Sequence, residues 1–161
     1  MTRMTRHEYF MEIAILTSKR ATCPRAHVGA IAVKNRHIIM SSYNGSPPHA
    51  QHCEDVGCKV VNNHCIRTIH AETNLITNCA KMGISLDGAT VYVTHKPCAF
   101  CTKLLISAGV EYVIYRQNMV DKDLLPEYQQ LINIAQLKEV EENERGIVLK
   151  NTGNGLSKSK R

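Results

Sequence analysis

The sequence predicts an α/β protein in which helices cover the faces of a sheet that contains parallel strands. From about residue 70 onward, short β-rich apolar runs alternate with stretches of helical periodicity. Parallel strands need a crossover connection, usually a helix, so this alternation favours parallel pairing. The length of 161 residues allows a core without disulfide bonds. We therefore expect a single domain over residues 1–150.

The first part of the chain predicts a helix followed by a hairpin. Thr5 and Glu8 have the spacing of a capping box, and apolar residues at mostly helical intervals follow them. Two β-rich runs flank a turn at Asn35-Arg36. We expect the helix at residues 5–21 and the hairpin strands at 28–33 and 37–43.

The later elements follow from the same patterns. Gly83 and Gly109 mark the ends of two helices. The expected elements are a helix at 70–82, a strand at 89–94, a helix at 97–108, a strand at 110–115, a helix at 122–136 and a strand at 147–149. Residues 151–161 are polar and rich in Gly, Ser and Lys, so we expect a disordered tail.

Composition narrows the class of protein. The net charge of +6 suits an anionic ligand, either a nucleotide or a nucleic acid. No run of eighteen apolar residues and no signal peptide is visible, so we expect a cytoplasmic protein without a membrane span. The seven cysteines cannot all pair as disulfides, and in a reducing compartment metal binding explains them more economically.

Two short motifs carry the chemistry, His-Ala-Glu at 70–72 and Pro-Cys-Ala-Phe-Cys at 97–101. Zinc binds imidazole and thiolate readily, and a catalytic site keeps three protein ligands and one open position. We therefore expect His70, Cys98 and Cys101 to hold a catalytic zinc ion. The two cysteines lie three apart, and Pro97 suits the first helical position, which predicts both thiols in a helix's first turn. The partial positive charge there favours thiolate.

Glu72 is the expected acid and base of the site. It lies two residues from His70, about 200° around a helix, which disfavours the binding of one metal by both. A carboxylate beside zinc can take the proton of the bound water and return it to a substrate. The alternatives for these motifs are a structural zinc knuckle and a redox Cys-x-x-Cys pair.

A stretch without apolar periodicity, from Asn44 to Arg67, predicts a second metal site. A segment this long inside a compact domain is usually functional or held in place. A closed structural zinc site needs four ligands. The candidates are Cys53, Cys58, His64 and Cys65, with Cys23 as an alternative ligand. The other interpretation is a surface loop with reduced, unpaired thiols.

These motifs resemble those of the zinc-dependent cytidine/deoxycytidylate deaminase superfamily, whose signature is His-x-Glu followed by Pro-Cys-x-x-Cys. The resemblance covers about residues 5–120. It implies a three-layer α/β/α fold in which helices flank a five-stranded mixed sheet. The two motifs would then begin neighbouring helices.

Three further stretches, at residues 23–30, 42–47 and 65–72, look like deoxycytidylate deaminases of the bacterial and phage type. That family converts dCMP to dUMP, the precursor of thymidylate. The resemblance implies a homo-oligomer, often a hexamer, and dCTP and dTTP as effectors, with Mg²⁺ accompanying dCTP. Ser42 stands where allosteric members commonly have Gly, so the sequence leaves this regulation open.

The resemblance also suggests substrate contacts. Asn44 is a candidate to hydrogen-bond the sugar or base, and Arg25 to bind the phosphate or an effector, because a guanidinium donates two parallel hydrogen bonds. Further candidates to contact the nucleotide are Thr94 and His95, which lie at a strand end. Tyr115 is a candidate to stack on it. The alternatives are a solvated surface charge for Arg25, a loop residue for His95 and a core residue for Tyr115.

The rival functions are a tRNA adenosine deaminase or another nucleoside or base deaminase of the same superfamily, and a non-catalytic zinc module. A tRNA adenosine deaminase would share the metal motif, but it would need a basic stripe with aromatic or Arg side chains for a splayed loop. The basic residues here are scattered and Trp is absent, which disfavours nucleic acid as the substrate. A non-catalytic zinc module that binds nucleic acid would have no use for Glu72.

Overall fold

The computed structural model describes residues 3–119, 125–143 and 146–149. Its helices are α1 (Arg6–Ser18), α2 (Cys53–Val56), α3 (Ala71–Met82), α4 (Ala99–Ser107) and α5 (Pro126–Gln129). Its strands are β1 (Gly29–Lys34), β2 (His37–Tyr43), β3 (Val60–Val61), β4 (His64–Cys65), β5 (Thr90–His95), β6 (Tyr112–Gln117), β7 (Asn133–Gln136), β8 (Val140–Asn143) and β9 (Gly146–Leu149). No helix within these ranges combines the length and apolarity needed to cross a bilayer.

The main sheet has five strands in the order β2-β1-β5-β6-β7. β1 runs antiparallel to both β2 and β5, whereas β5, β6 and β7 are parallel to one another. The predicted five-stranded mixed sheet is confirmed. Two small ribbons, β3-β4 and β8-β9, stand outside it.

Helices cover both faces of this sheet, as the predicted three layers require. Successive strand residues point to opposite faces. Ala30 and Ala32 of β1 therefore pack into one core cluster with Leu75 of α3 and Leu105 of α4. The intervening β1 residues pack with α1 in a second cluster, whose buried members are Phe10, Met11, Ala14, Ile31, Val33, Tyr92 and Ile114. The helices that begin at the two motifs therefore share one face, and α1 covers the other.

Local sequence signals account for the first elements. The capping box at Thr5 and Glu8 is present and begins α1, which ends at Ser18 rather than at residue 21. Asn35 and Arg36 both have positive φ, as the two central residues of a tight hairpin turn require. A Cβ on Gly29 would lie 2.0 Å from the Ala14 carbonyl oxygen, so only glycine permits this approach of α1 to β1.

The predicted helix at 122–136 is wrong. Within the described part of that range, a single helical turn, Pro126–Gln129, is followed by β7, which pairs in parallel with β6. Ile132 is buried in the cluster of α3 and α4, and Ile134 packs against it. This burial and pairing outweigh the local helical pattern. The strand predicted at 147–149 lies within β9, and the tail predicted at 151–161 lies outside the described residues.

Candidate active site and metal centres

The two motifs lie at the N-termini of α3 and α4, which pack against each other. His70 is the N-cap of α3, and its carbonyl accepts a hydrogen bond from the Asn74 N–H at 2.9 Å. Cys98 is the N-cap of α4, and its sulfur accepts the N–H of Cys101 at 3.5 Å. The predicted start of the helix at Pro97 is therefore wrong, whereas Cys101 lies in the first turn as predicted and Cys98 lies at the cap just before it. The sulfur of Cys98 acts as the cap acceptor, so the helix begins one residue after it.

Three side chains meet between these helix ends. The Nδ1 atom of His70 lies 3.7 Å from the Cys98 sulfur and 3.4 Å from the Cys101 sulfur. All three potential ligand atoms lie within 4.8 Å of one another. Zinc–sulfur and zinc–nitrogen bonds of about 2.3 and 2.0 Å at a tetrahedral angle would separate sulfur from nitrogen by about 3.5 Å. The donor set and its spacing therefore fit a tetrahedral zinc ion with three protein ligands.

The charges of the two thiols lead to the same conclusion. Hydrogen bonds from Cys101 and His70 lower the pKa of Cys98 to about 4. The pKa of Cys101 is raised, because Cys98 is its hydrogen-bond partner and because burial disfavours a second negative charge. Without a cation, ionisation of Cys98 disfavours ionisation of Cys101. A divalent cation between the two sulfurs would stabilise thiolate at both positions.

Glu72 lies in the first turn of α3 and is only 4% exposed. Burial raises the pKa of its carboxyl group to about 7, although its own backbone N–H and the nearby His70 act in the opposite direction. Its oxygens are outside the group of three ligand atoms, within the residues searched. The arrangement leaves a titratable carboxyl group beside the ligand set and not within it.

A cavity of about 780 Å³ opens onto this site. The predicted site residues that line it are Cys23, Arg25, Asn44, His64, Cys65, His70, Glu72, His95 and Cys98. Cys101 is fully buried and does not line the cavity. The structure therefore brings together the N-terminal segment, the 44–67 segment and the two motifs around one space.

Asn44 braces the wall of this cavity. Its Oδ1 accepts the Val28 N–H and its Nδ2 donates to the Ala26 carbonyl, each at 2.8 Å. Arg25, which is exposed, precedes this braced segment and donates from Nη2 to Asn63 O and Oδ1, both at 3.3 Å. The amide of Asn44 thus fixes the segment that presents Arg25 to the cavity.

Thr94 and Tyr115 lie behind the lining residues. Thr94 is buried, and its hydroxyl accepts the Gly29 N–H at 3.2 Å and contacts His95 Nδ1 at 2.9 Å. Burial lowers the pKa of His95, which favours the neutral ring. Tyr115 is 8% exposed and belongs to the core cluster of α3 and α4. Thr94 therefore orients a residue that faces the cavity, and Tyr115 supports the wall from within.

Sequence reasoning assigned no role to Lys96, Phe100 and Met119, which also line the cavity. Lys96 and Phe100 adjoin the cysteine motif, so their position in the chain was an available signal. Met119 follows β6, and only the alignment of β5 with β6 brings it to the same end of the sheet.

A second group of thiols forms in the 44–67 segment. The sulfurs of Cys53, Cys58 and Cys65 lie within 4.8 Å of one another. Those of Cys53 and Cys65 are 3.7 Å apart, close to the separation of about 3.8 Å for two thiolates on tetrahedral zinc. Burial would raise the pKa of Cys65, but hydrogen bonds from Thr68 and the Arg67 backbone lower it to about 6.

The other two predicted ligands are not in this group. His64 and Cys65 are adjacent in β4, and neighbouring strand residues point to opposite sides, so His64 points away when Cys65 faces the cluster. His64 is exposed and instead lines the cavity. Cys23 is buried in the cavity wall, outside the group of three.

Comparison with known proteins identifies the family of this chain. The model of the cytidine and deoxycytidylate deaminase zinc-binding region matches residues 4–117. The chain belongs to this family.

Individual relatives narrow the comparison. ComE operon protein 2 of Bacillus subtilis is 42% identical over 153 residues, which are 94% of this chain and 79% of that protein. The deoxycytidylate deaminase of Mycobacterium phage D29 is 34% identical and covers 71% of this chain and 97% of its own. The crystal structure of the dCMP deaminase of cyanophage S-TIM5, in complex with dCMP and dUMP, superposes with a TM-score of 0.73 at 32% identity. It covers 84% of this chain and 99% of the phage chain.

Proposed function

We propose that this protein is a zinc-dependent deaminase that hydrolyses dCMP to dUMP and ammonia. One observation carries the proposal. A buried carboxyl group, Glu72, adjoins a His-Cys-Cys ligand set on the wall of a cavity that also presents basic side chains. The phage relatives described above as dCMP deaminases support the choice of substrate.

The residues divide the reaction between them. His70, Cys98 and Cys101 would hold the zinc ion, which would supply a Lewis acid that lowers the pKa of a water molecule towards neutrality. Glu72 as carboxylate accepts a proton from the attacking water, and as carboxylic acid it donates that proton to N3 of the cytosine ring. The water oxygen forms a bond to C4 as N3 is protonated. Glu72 then carries a second proton from that oxygen to the amino group, and the C4–N bond breaks to release ammonia and leave the C4 carbonyl of uracil.

The substrate is tested by incubating the purified protein separately with dCMP, deoxycytidine, cytidine, dCTP and adenosine. Ultraviolet change and ammonia release are followed in each. We expect kcat/KM for dCMP to exceed that for deoxycytidine by at least about a hundredfold, because two charge-assisted hydrogen bonds to the phosphate suffice for this. Adenosine as the preferred substrate would favour the tRNA adenosine deaminase alternative. A protein that deaminates none of them would contradict the proposal.

We further propose a second, structural zinc ion at Cys53, Cys58 and Cys65, with Cys23 as the fourth ligand. Burial raises the pKa of Cys58 and Cys23 is close enough to raise it further, whereas His64 faces away. Three sulfurs at metal-binding spacing support it, and α2 and the β3-β4 ribbon provide little core of their own. A metal would replace the missing hydrophobic stabilisation of this segment.

This site predicts two zinc ions per chain, one for each ligand group. Cys53→Ser should remove one and lower the melting temperature more than it lowers turnover at permissive temperature, since Cys53 does not line the cavity. Metal content by emission spectrometry and thermal unfolding measure both effects. Gln51→Ala, an exposed substitution in the same segment, is the control. One zinc ion in wild-type protein purified without chelator would refute the second site.

Assembly and regulation complete the proposal. We propose a homo-oligomer, a hexamer in the family's common form, that acts in the cytoplasm and responds to dCTP with Mg²⁺ and to dTTP. Exposed apolar residues on the β3-β4 ribbon and after it, Val60, Val61 and Ile66, support an interface between copies. Light scattering of the purified protein tests the assembly, and turnover of dCMP with each effector tests the regulation.

A further inference from the structure

Lys96 occupies a fixed position beside the metal motif. It follows the last residue of β5 and precedes Pro97, and its backbone N–H donates to the Gln117 carbonyl at 2.9 Å. This hydrogen bond ties the backbone of Lys96 to the end of β6. The root of the side chain is therefore held at the rim of the cavity, two residues before Cys98.

The end of the side chain, by contrast, is held weakly. The contact that the ammonium makes within the described residues is with the ring of Tyr115, 5.9 Å from Nζ to the ring centroid. Burial and the nearby carboxylate of Glu139 raise the pKa of Tyr115, and that carboxylate already accepts the Gln136 N–H at 3.1 Å. A cation over an aromatic ring at a partly exposed site is stabilised less than one that contacts an anion. Lys96 can therefore leave the ring for a ligand.

The charges around the cavity favour an anionic ligand. Among the described lining residues, Arg25 and Lys96 are the basic side chains other than His, and Glu72 is the acidic one. Two thiolates would neutralise a divalent ion at the motif, so the other fixed charges of the lining are two positive and one negative. Glu72 is buried and acts on the cytosine ring. Arg25 is exposed and hydrogen-bonded to Asn63.

We propose that Lys96 binds the 5′-phosphate of the nucleotide together with Arg25 and sets the preference for dCMP over deoxycytidine. This inference rests on the proposed deaminase function and extends it to a residue and a ligand group. The guanidinium of Arg25 is preorganised by Asn63, and the ammonium of Lys96 swings from the Tyr115 ring onto the phosphate. The cytosine base then lies between these two basic side chains and Glu72.

The test compares Lys96→Met with wild-type protein on dCMP and on deoxycytidine. The ratio of the two kcat/KM values should fall at least about tenfold, mainly through the KM for dCMP, because one charge-assisted contact is lost. Lys96→Arg should restore most of the ratio, and Arg25→Ala should lower it as well. Lys103→Met on α4, an exposed lysine that does not line the cavity, should leave the ratio unchanged. Equal losses on both substrates in Lys96→Met would overturn the proposal, because they would mean that Lys96 only supports Tyr115.

A binding measurement separates this proposal from the deaminase function. Calorimetric titration with dUMP and with deoxyuridine requires no turnover. Lys96→Met should weaken dUMP at least about tenfold and deoxyuridine little. If the wild-type protein deaminated no cytosine substrate but Lys96→Met still weakened dUMP selectively, the deaminase function would be wrong and the phosphate site would be correct. If Lys96→Met left dUMP affinity unchanged, Lys96 would not bind the phosphate, even if the protein deaminates dCMP.

Discussion

Cys98→Ala is expected to abolish deamination and to lower the zinc content by one equivalent per chain. The thiol caps α4 and lies 3.7 Å from His70 Nδ1, so its loss leaves two of the three ligands that a catalytic zinc site needs. His70→Ala should have the same effect from the other helix. Emission spectrometry of the purified variants and turnover of dCMP measure the two losses.

The control for these variants is Ser107→Ala, an exposed change at the other end of α4. It should keep wild-type zinc content and turnover. Unchanged metal content in Cys98→Ala would mean that zinc is held elsewhere, and the assignment of His70, Cys98 and Cys101 would be wrong. Because His70 and Cys98 come from different helices, agreement between their variants also tests the packing of α3 against α4.

Glu72→Gln should retain the zinc ion and lose most of the turnover. The amide has nearly the same shape as the carboxyl group but neither accepts nor donates the proton that the reaction moves. General acid–base steps contribute about 10²–10⁴-fold, and Glu72 serves more than one step, so a loss at the upper end is expected. The measurements are kcat at saturating dCMP and zinc content per chain.

Glu12→Gln on the exposed side of α1 is the matched control, since it makes the same chemical change on the far face of the sheet. It should behave as wild type. Turnover near the wild-type level in Glu72→Gln would exclude Glu72 from the mechanism. Loss of zinc from that variant would instead identify Glu72 as a ligand.

The parts of the fold that could be read from the sequence are those fixed by short-range chemistry. The capping box at Thr5, the positive φ at Asn35 and Arg36, and the spacing of the two motifs each involve residues close together in the chain. The C-terminal strand β7 was missed for the opposite reason. Its pairing with β6 and the burial of Ile132 depend on residues far away in sequence.

The candidate sites show the same division. Sequence spacing identified the cysteines at 53, 58 and 65 as a group, but it could not say that β4 is extended and turns His64 away from Cys65. The role of Cys98 as an N-cap likewise depends on where the helix begins, which spacing alone leaves uncertain by a residue or two. Lys96 was overlooked because a lysine beside a motif has no signature until the cavity around it is known.

The division of the core by the sheet has a practical consequence for work with this protein. The chemistry lies on the face covered by α3 and α4, whereas the outer side of α1 exposes Tyr9 and Leu16 on the opposite face. A fluorophore or an immobilisation tether attached to the outer side of α1 would be separated from the cavity by the full thickness of the sheet. A reactive residue introduced at either position would therefore be a convenient attachment point for single-molecule or surface-based measurements of nucleotide binding.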